Sequence, residues 1–81
     1  PDNVAVINNL ALSLAQSGNL DGGIAVLAKL EKNKKSTPQS RQNLAMLYAL
    51  AGDIKSAEKL ARQDLPEEAV IENLSAFQKM H

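Results

Sequence analysis

Eighty-one residues make one small domain, and a chain of this size buries roughly 60% of the surface its unfolded form exposes, leaving little depth for a catalytic cleft. Nine Lys plus Arg against nine Asp plus Glu cancel to zero net charge, which removes the basic footprint of a protein that tracks phosphates or lies on an anionic membrane. There is no cysteine for a disulfide or a thiolate metal site, and no apolar run approaches the roughly 18 residues that span a bilayer.

From Val4 to Ser17 the residues Ile7, Leu10, Ala11 and Leu14 recur at steps of three and four, the period that gathers side chains on one face of a helix. Gly18 and Asn19 break this segment. A second apolar series, Leu20, Ile24, Leu27 and Leu30, follows with Asn19 as its cap. Gly22 and Gly23 lie inside that second helix, where each costs about 1 kcal/mol relative to alanine, so close packing is expected at one of them. Lys32, Lys34 and Lys35 suit the negative end of the helix dipole, and Thr37-Pro38 opens a third helix running to Ala51. Gly52-Asp53 repeats the earlier break, a fourth helix runs from Ile54 to about Gln63, and Asp64-Leu65-Pro66-Glu67 starts a fifth whose buried stripe is Val70, Ile71, Leu74 and Phe77. No segment alternates as a half-exposed strand does, and aromatic residues make up 2% of the chain, so the fold class is all-α.

The breaks and the helices before them repeat. Asn9-Leu10-Ala11 returns as Asn43-Leu44-Ala45, Ala15 as Ala49 and Gly18 as Gly52, at a constant step of 34 residues. A period of that length spanning a helix pair marks an open stack of hairpins, each covering an apolar face its neighbour cannot hide alone.

These residues resemble the tetratricopeptide repeat, whose pattern sets a bulky residue, Leu-Gly and Tyr in the first helix, Ala and a large apolar residue in the second, and a closing Pro. The first copy supplies Ile7, Leu10, Ala11, Leu14, Gly23 and Leu27, and the second supplies Leu44, Ala45, Tyr48, Gly52 and Ala57. The pattern is degenerate: Arg41 replaces the first bulky position, Ala61 the large one, and Lys35 stands where the proline is usual. The resemblance implies a right-handed α-solenoid of antiparallel pairs, with 4–35 the first pair, 37–64 the second and 66–80 a capping helix. In the second helix of each pair, Gly23 and Ala57 would be the points of close approach. Pro1-Asp2-Asn3 resembles the tail of a preceding repeat, and Asn73-Leu74-Ser75 echoes the repeated triplet at a shortened offset, so the segment reads as the C-terminal end of a longer array. Residues 41 to 77 also resemble the C-terminal region of the tetratricopeptide proteins of the bacterial Tad (Flp) pilus assembly system, carried by Arg41 to Ala45, Tyr48-Ala49-Leu50, Gly52-Asp53 and the Asp64-Leu65 to Asn73-Leu74 spacing. That likeness implies an accessory factor of pilus assembly or secretion, on the periplasmic side of the outer membrane.

In the family, Asn8, Asn9, Gln39, Gln42, Asn43, Met46 and Leu50 would face the inner groove of the solenoid. Amides there can bond the backbone of a protein or peptide partner while Met46 and Leu50 offer adaptable apolar contact. The alternative is that the amides bond neighbouring turns or water, as most side-chain amides do. The lysines and arginine of the family's carboxylate-binding subclass do not accompany Asn9 or Asn43. Lys29, Lys32, Lys34 and Lys35 lack the interleaved aromatics of a nucleic-acid surface and read as a solvated helix end. Asp64, Glu67, Glu68 and Glu72 read as a capped helix start rather than a metal site. The one histidine is the terminal His81, and the serines have no base at a defined spacing, so no catalytic residue, cofactor or metal is expected. The alternatives to groove binding in pilus assembly are a structural cap or self-association element of a longer helical-repeat protein, pairing through the flank of the first helix that includes Val6 and Ile7, or a tetratricopeptide chaperone or adaptor of another bacterial system.

Overall fold

The computed structural model describes residues 3–63. Over that range the chain forms the helices α1 (Val4–Gln16), α2 (Leu20–Lys32), α3 (Pro38–Leu50) and α4 (Ile54–Ala61), and no strand. Pro1-Asp2, the expected 66–80 helix with its stripe, the acidic cluster from Asp64 to Glu72 and His81 lie outside the described residues.

Each helix starts on a side chain that accepts from one of its orphan backbone N–H groups. Asn3 accepts from Val6 N at 3.3 Å, Asn19 from Gly22 N at 2.9 Å and Asp53 from Ser56 N at 3.1 Å. At α3 the bonding is reciprocal: Ser40 N donates to Thr37 Oγ1 at 3.2 Å and Thr37 N donates to Ser40 Oγ at 2.8 Å, a capping box in which serine replaces the usual glutamate.

The ends of the first three helices also share one geometry. Gly18 N donates to Ala15 O and Asn19 N to Leu14 O; Gly52 N donates to Ala49 O and Asp53 N to Tyr48 O; Lys34 N donates to Glu31 O and Lys35 N to Leu30 O. This is the Schellman closure, which needs a left-handed residue just past the helix. Gly18 (φ 95°) and Gly52 (φ 88°) supply it inside the two hairpins, whereas the link between the hairpins uses Lys34 (φ 57°). Asn19 and Asp53 each both finish one helix and cap the next, which is why a two-residue break suffices to reverse the chain.

The helices pack in sequence: α1 on α2, α2 on α3, α3 on α4, with α1 also touching α3, while α4 makes no such approach to α1 or α2. The described helices therefore form an open layer, not a closed ring in which α1 would meet α4. The core comprises Ala11, Leu27, Leu44, Ala45, Leu47, Ala49, Ala57 and Leu60. Gly23 is the close contact within the first hairpin, since a β-carbon built on it would stand 2.6 Å from the Ala11 carbonyl oxygen.

Several expected core positions differ. Leu10 is 50% exposed although its counterpart Leu44 is 2% exposed, because among the described helices α3 packs against both α2 and α4, whereas α1 packs against α2 and only the edge of α3. Ile7 and Tyr48 are half-buried against the core, and Leu14 is half-buried. Leu47 and Ala49, absent from the repeat pattern, are among the most deeply buried residues. Arg41, where the family pattern has a bulky apolar residue, reaches back to the inter-hairpin link: its Nη1 donates to Ser36 Oγ at 3.1 Å, and Ser36 Oγ donates in turn to the Glu31 carboxylate. A hydrogen-bonded relay thus stands where a hydrophobic contact is expected, joining the end of α2 to the start of α3.

Candidate partner-binding groove

Helices α1 and α3 lie against one another, and their C-terminal halves enclose a recess of about 290 Å³ lined by Leu12, Ala15, Gln16, Leu20, Met46, Leu47 and Leu50. The lining follows from helical periodicity: Leu12 with Ala15 and Gln16 on α1, and Met46 with Leu47 and Leu50 on α3, are neighbours one turn apart. Leu20, the first residue of α2, closes one side. Met46 and Leu20 are also packed against the core, so the floor is held in place while Leu50 stays open to solvent. Gln16 is the one polar side chain around it, and no charged residue takes part.

Met46 and Leu50, two of the residues the family resemblance sets on the groove face, both line this recess, together with Leu12, Ala15, Gln16 and Leu20. The expected amides do not share the recess. Asn9, Gln39 and Gln42 are exposed, and Gln39 Nε2 donates to Asn43 Oδ1 at 3.2 Å, one turn apart along α3; this is the local bonding that amides make in the absence of a ligand. Asn8 departs further. It is 8% exposed and its Oδ1 is buried without a hydrogen-bond partner, so it does not present an amide to a groove. A buried unpaired carbonyl oxygen costs on the order of 1–3 kcal/mol, and no other feature of the described residues explains why asparagine stands there.

A second depression, about 350 Å³, runs between α2 and α4 and is lined by Ala28, Glu31, Lys32, Leu44, Tyr48, Ser56, Lys59, Leu60 and Gln63. Its rim carries charges of both signs, and it lies on the other side of α3 from the apolar recess. Lys29, Lys32, Lys34 and Lys35 are all solvent-exposed, with Lys29 and Lys32 in the last turn of α2, where the helix dipole favours them. Among the described residues no group of three or more His, Cys, Asp or Glu side chains is placed to hold a metal ion, and no helix is long and apolar enough to cross a membrane.

The titration of Asp53 is displaced. The Asp53 carboxylate accepts from the Ser56 hydroxyl at 2.7 Å and from the Ser56 backbone N–H, and these two bonds, the hydroxyl's first, hold its pKa below the ordinary 3.8. It is a helix cap, remote from the recess.

The chain matches no family model, no curated protein and no solved structure at a significant level.

Proposed function

We propose that the chain is a non-enzymatic protein-interaction module built as a short right-handed α-solenoid of tetratricopeptide-like hairpins, and that it captures a peptide segment of a partner by seating a large apolar side chain in the recess between α1 and α3. The observation that carries this reading is the recess itself: an uncharged depression of about 290 Å³ between two helices related by the 34-residue repeat, with space for one large aliphatic or aromatic side chain. A partner side chain buried there gains about 1.5–3 kcal/mol from desolvation, and the exposed amides of Asn9, Gln39 and Gln42, with the half-buried Asn43 beside them, would bond the adjoining peptide backbone at its edges. Packing in chain order, in which α1 also meets α3 but α4 approaches neither α1 nor α2, and twice-used turn chemistry support the solenoid; the repeat pattern supports the family.

The setting we propose is bacterial pilus assembly or secretion of the Tad (Flp) type, resting on the likeness of residues 41 to 77 to that system's tetratricopeptide proteins. A peptide array covering the components of such a system, probed with the purified chain, tests both parts. Capture of peptides that share a large apolar residue, weakened roughly tenfold by Leu50→Asp, is expected. Capture unaffected by Leu50→Asp would reject the recess, and no capture from any pilus component would reject the setting.

A further inference from the structure

Asp21-Gly22 is the one Asp-Gly pair in the chain; the other aspartates precede Asn3, Ile54 and Leu65. When glycine follows an aspartate, the glycine nitrogen can reach the carboxyl group, because no side chain screens it and its backbone turns freely. The pair lies in the first turn of α2, where Asp21 is exposed and Gly22 half-buried. There the Gly22 nitrogen is already engaged. Its N–H donates to Asn19 Oδ1 at 2.9 Å, and the N–H of Gly23 donates to the Asn19 backbone carbonyl at 3.1 Å. The cap also explains the glycine: a β-carbon built on Gly22 would stand 2.7 Å from Asn19 Cγ, so the side chain that closes the helix start needs a residue without one beneath it.

We propose that Asp21-Gly22 is a latent modification site: the Asn19 cap holds it unreactive, and opening of the first turn of α2 lets it convert to an isoaspartyl link. In the open turn the Gly22 nitrogen attacks Cγ of Asp21 in its carboxylic acid form. The N–Cγ bond forms, the Cγ–OH bond breaks, and the hydroxyl leaves as water with the proton of the Gly22 N–H, giving a cyclic imide. Water then adds at the main-chain carbonyl carbon of Asp21 and breaks its bond to the Gly22 nitrogen. The chain now runs through Cγ and is longer by one backbone carbon. The closed turn opposes the first step twice: Asn19 retains the Gly22 N–H, and the helical dihedrals at Asp21 keep the nitrogen off the line of approach to Cγ. The product cannot rebuild the same turn. Gly23 packs against the Ala11 carbonyl so closely that a β-carbon would not fit, so a lengthened turn loses either that contact or the bonds to Asn19.

Peptide mapping after incubation at neutral pH, which separates the isoaspartyl peptide from its parent of equal mass, tests the proposal. Isomerisation of Asp21 is expected to be at least about tenfold slower in the folded chain than in the same chain unfolded in urea. Asn19→Ala should speed it about fivefold, the loss of a cap expressed as a larger open fraction. Asn19→Ser, which restores an accepting oxygen, should return it close to the parent rate. Asp53→Ala removes the corresponding cap of α4 and should leave the Asp21 rate unchanged, with circular dichroism reporting the folded fraction of each variant. Equal rates in the folded and unfolded chains, or an Asn19→Ala chain no faster than the parent, would overturn the proposal. A rate raised equally by Asn19→Ala and Asp53→Ala would overturn it as well, because unfolding of the whole domain and not the local cap would then control the site.

Discussion

Gly23 lies against Ala11 so closely that a methyl group at Gly23 would stand 2.6 Å from the Ala11 carbonyl oxygen and 3.2 Å from Cδ1 of Leu47. Both partners belong to the buried core, and the first is backbone, which cannot swing aside. The second hairpin tolerates the methyl: Ala57 occupies the equivalent place with no exposure. The two hairpins therefore close to different degrees although they share their turns.

Gly23→Ala should destabilise the fold. Helix propensity favours alanine by about 1 kcal/mol, but forcing a carbon into a filled interface costs about 1–3 kcal/mol, and the backbone contact puts this site towards the upper end. Chemical denaturation should show a net loss of about 1–2 kcal/mol. A gain in stability would mean that α1 and α2 are farther apart than described.

Lys34→Gly should have the opposite effect. Lys34 closes α2 at φ 57°, a left-handed conformation that costs a residue with a β-carbon about 1–2 kcal/mol; glycine relieves this while losing more entropy on folding. A net gain of about 0.5–1 kcal/mol, or a few degrees in Tm, is expected in a thermal melt. An unchanged or lower Tm would argue against the Schellman closure at Lys35 and Leu30.

Leu44→Ala and Leu10→Ala remove the same atoms from equivalent repeat positions, yet they should differ. Leu44 is enclosed by two neighbouring helices, so its truncation should cost about 2–5 kcal/mol, enough to unfold much of a domain this small. Leu10→Ala should cost under about 1 kcal/mol. Equal costs would contradict the one-sided environment of α1.

Acid should weaken the α3–α4 turn through Asp53. Its pKa is lowered in the folded state by the Ser56 hydroxyl and then by the Ser56 backbone N–H, so the stabilisation is complete above the unfolded value near 3.8 and is lost as pH falls through the lower, folded value. An NMR titration should find the Asp53 carboxyl below its ordinary value, and Ser56→Ala should move it up. A midpoint unaffected by Ser56→Ala would remove the hydroxyl as its principal cause.

The turns were the most legible part of the chain. Gly18-Asn19 and Gly52-Asp53 combine a left-handed stop with the next cap, and that chemistry is local enough to be read from adjacent letters. Helix boundaries followed to within a residue or two for the same reason. Exposure at the edge was less legible, because Leu10 and Leu44 are identical in type and local context and differ only in whether a helix lies alongside. The closure at Lys34 carried no glycine to announce it. For the candidate groove, the repeat pattern points to Met46 and Leu50, which line the recess between α1 and α3. Leu12, Ala15 and Leu20 also line it, but their apolar character marks them equally as core or recess, a choice that depends on the gap between two helices distant in sequence. The family pattern sets Asn8 on the groove face, whereas it is buried; nothing in its flanking residues signals that.

The most direct test of partner capture in the recess is methyl NMR of the chain titrated with a peptide selected from the array. Saturable shifts are expected at the Met46, Leu12 and Leu50 methyls, with Leu60 in the α2–α4 depression and Val6 on the outer flank unmoved. Shifts centred on Leu60 or Val6 with Met46 silent would contradict it.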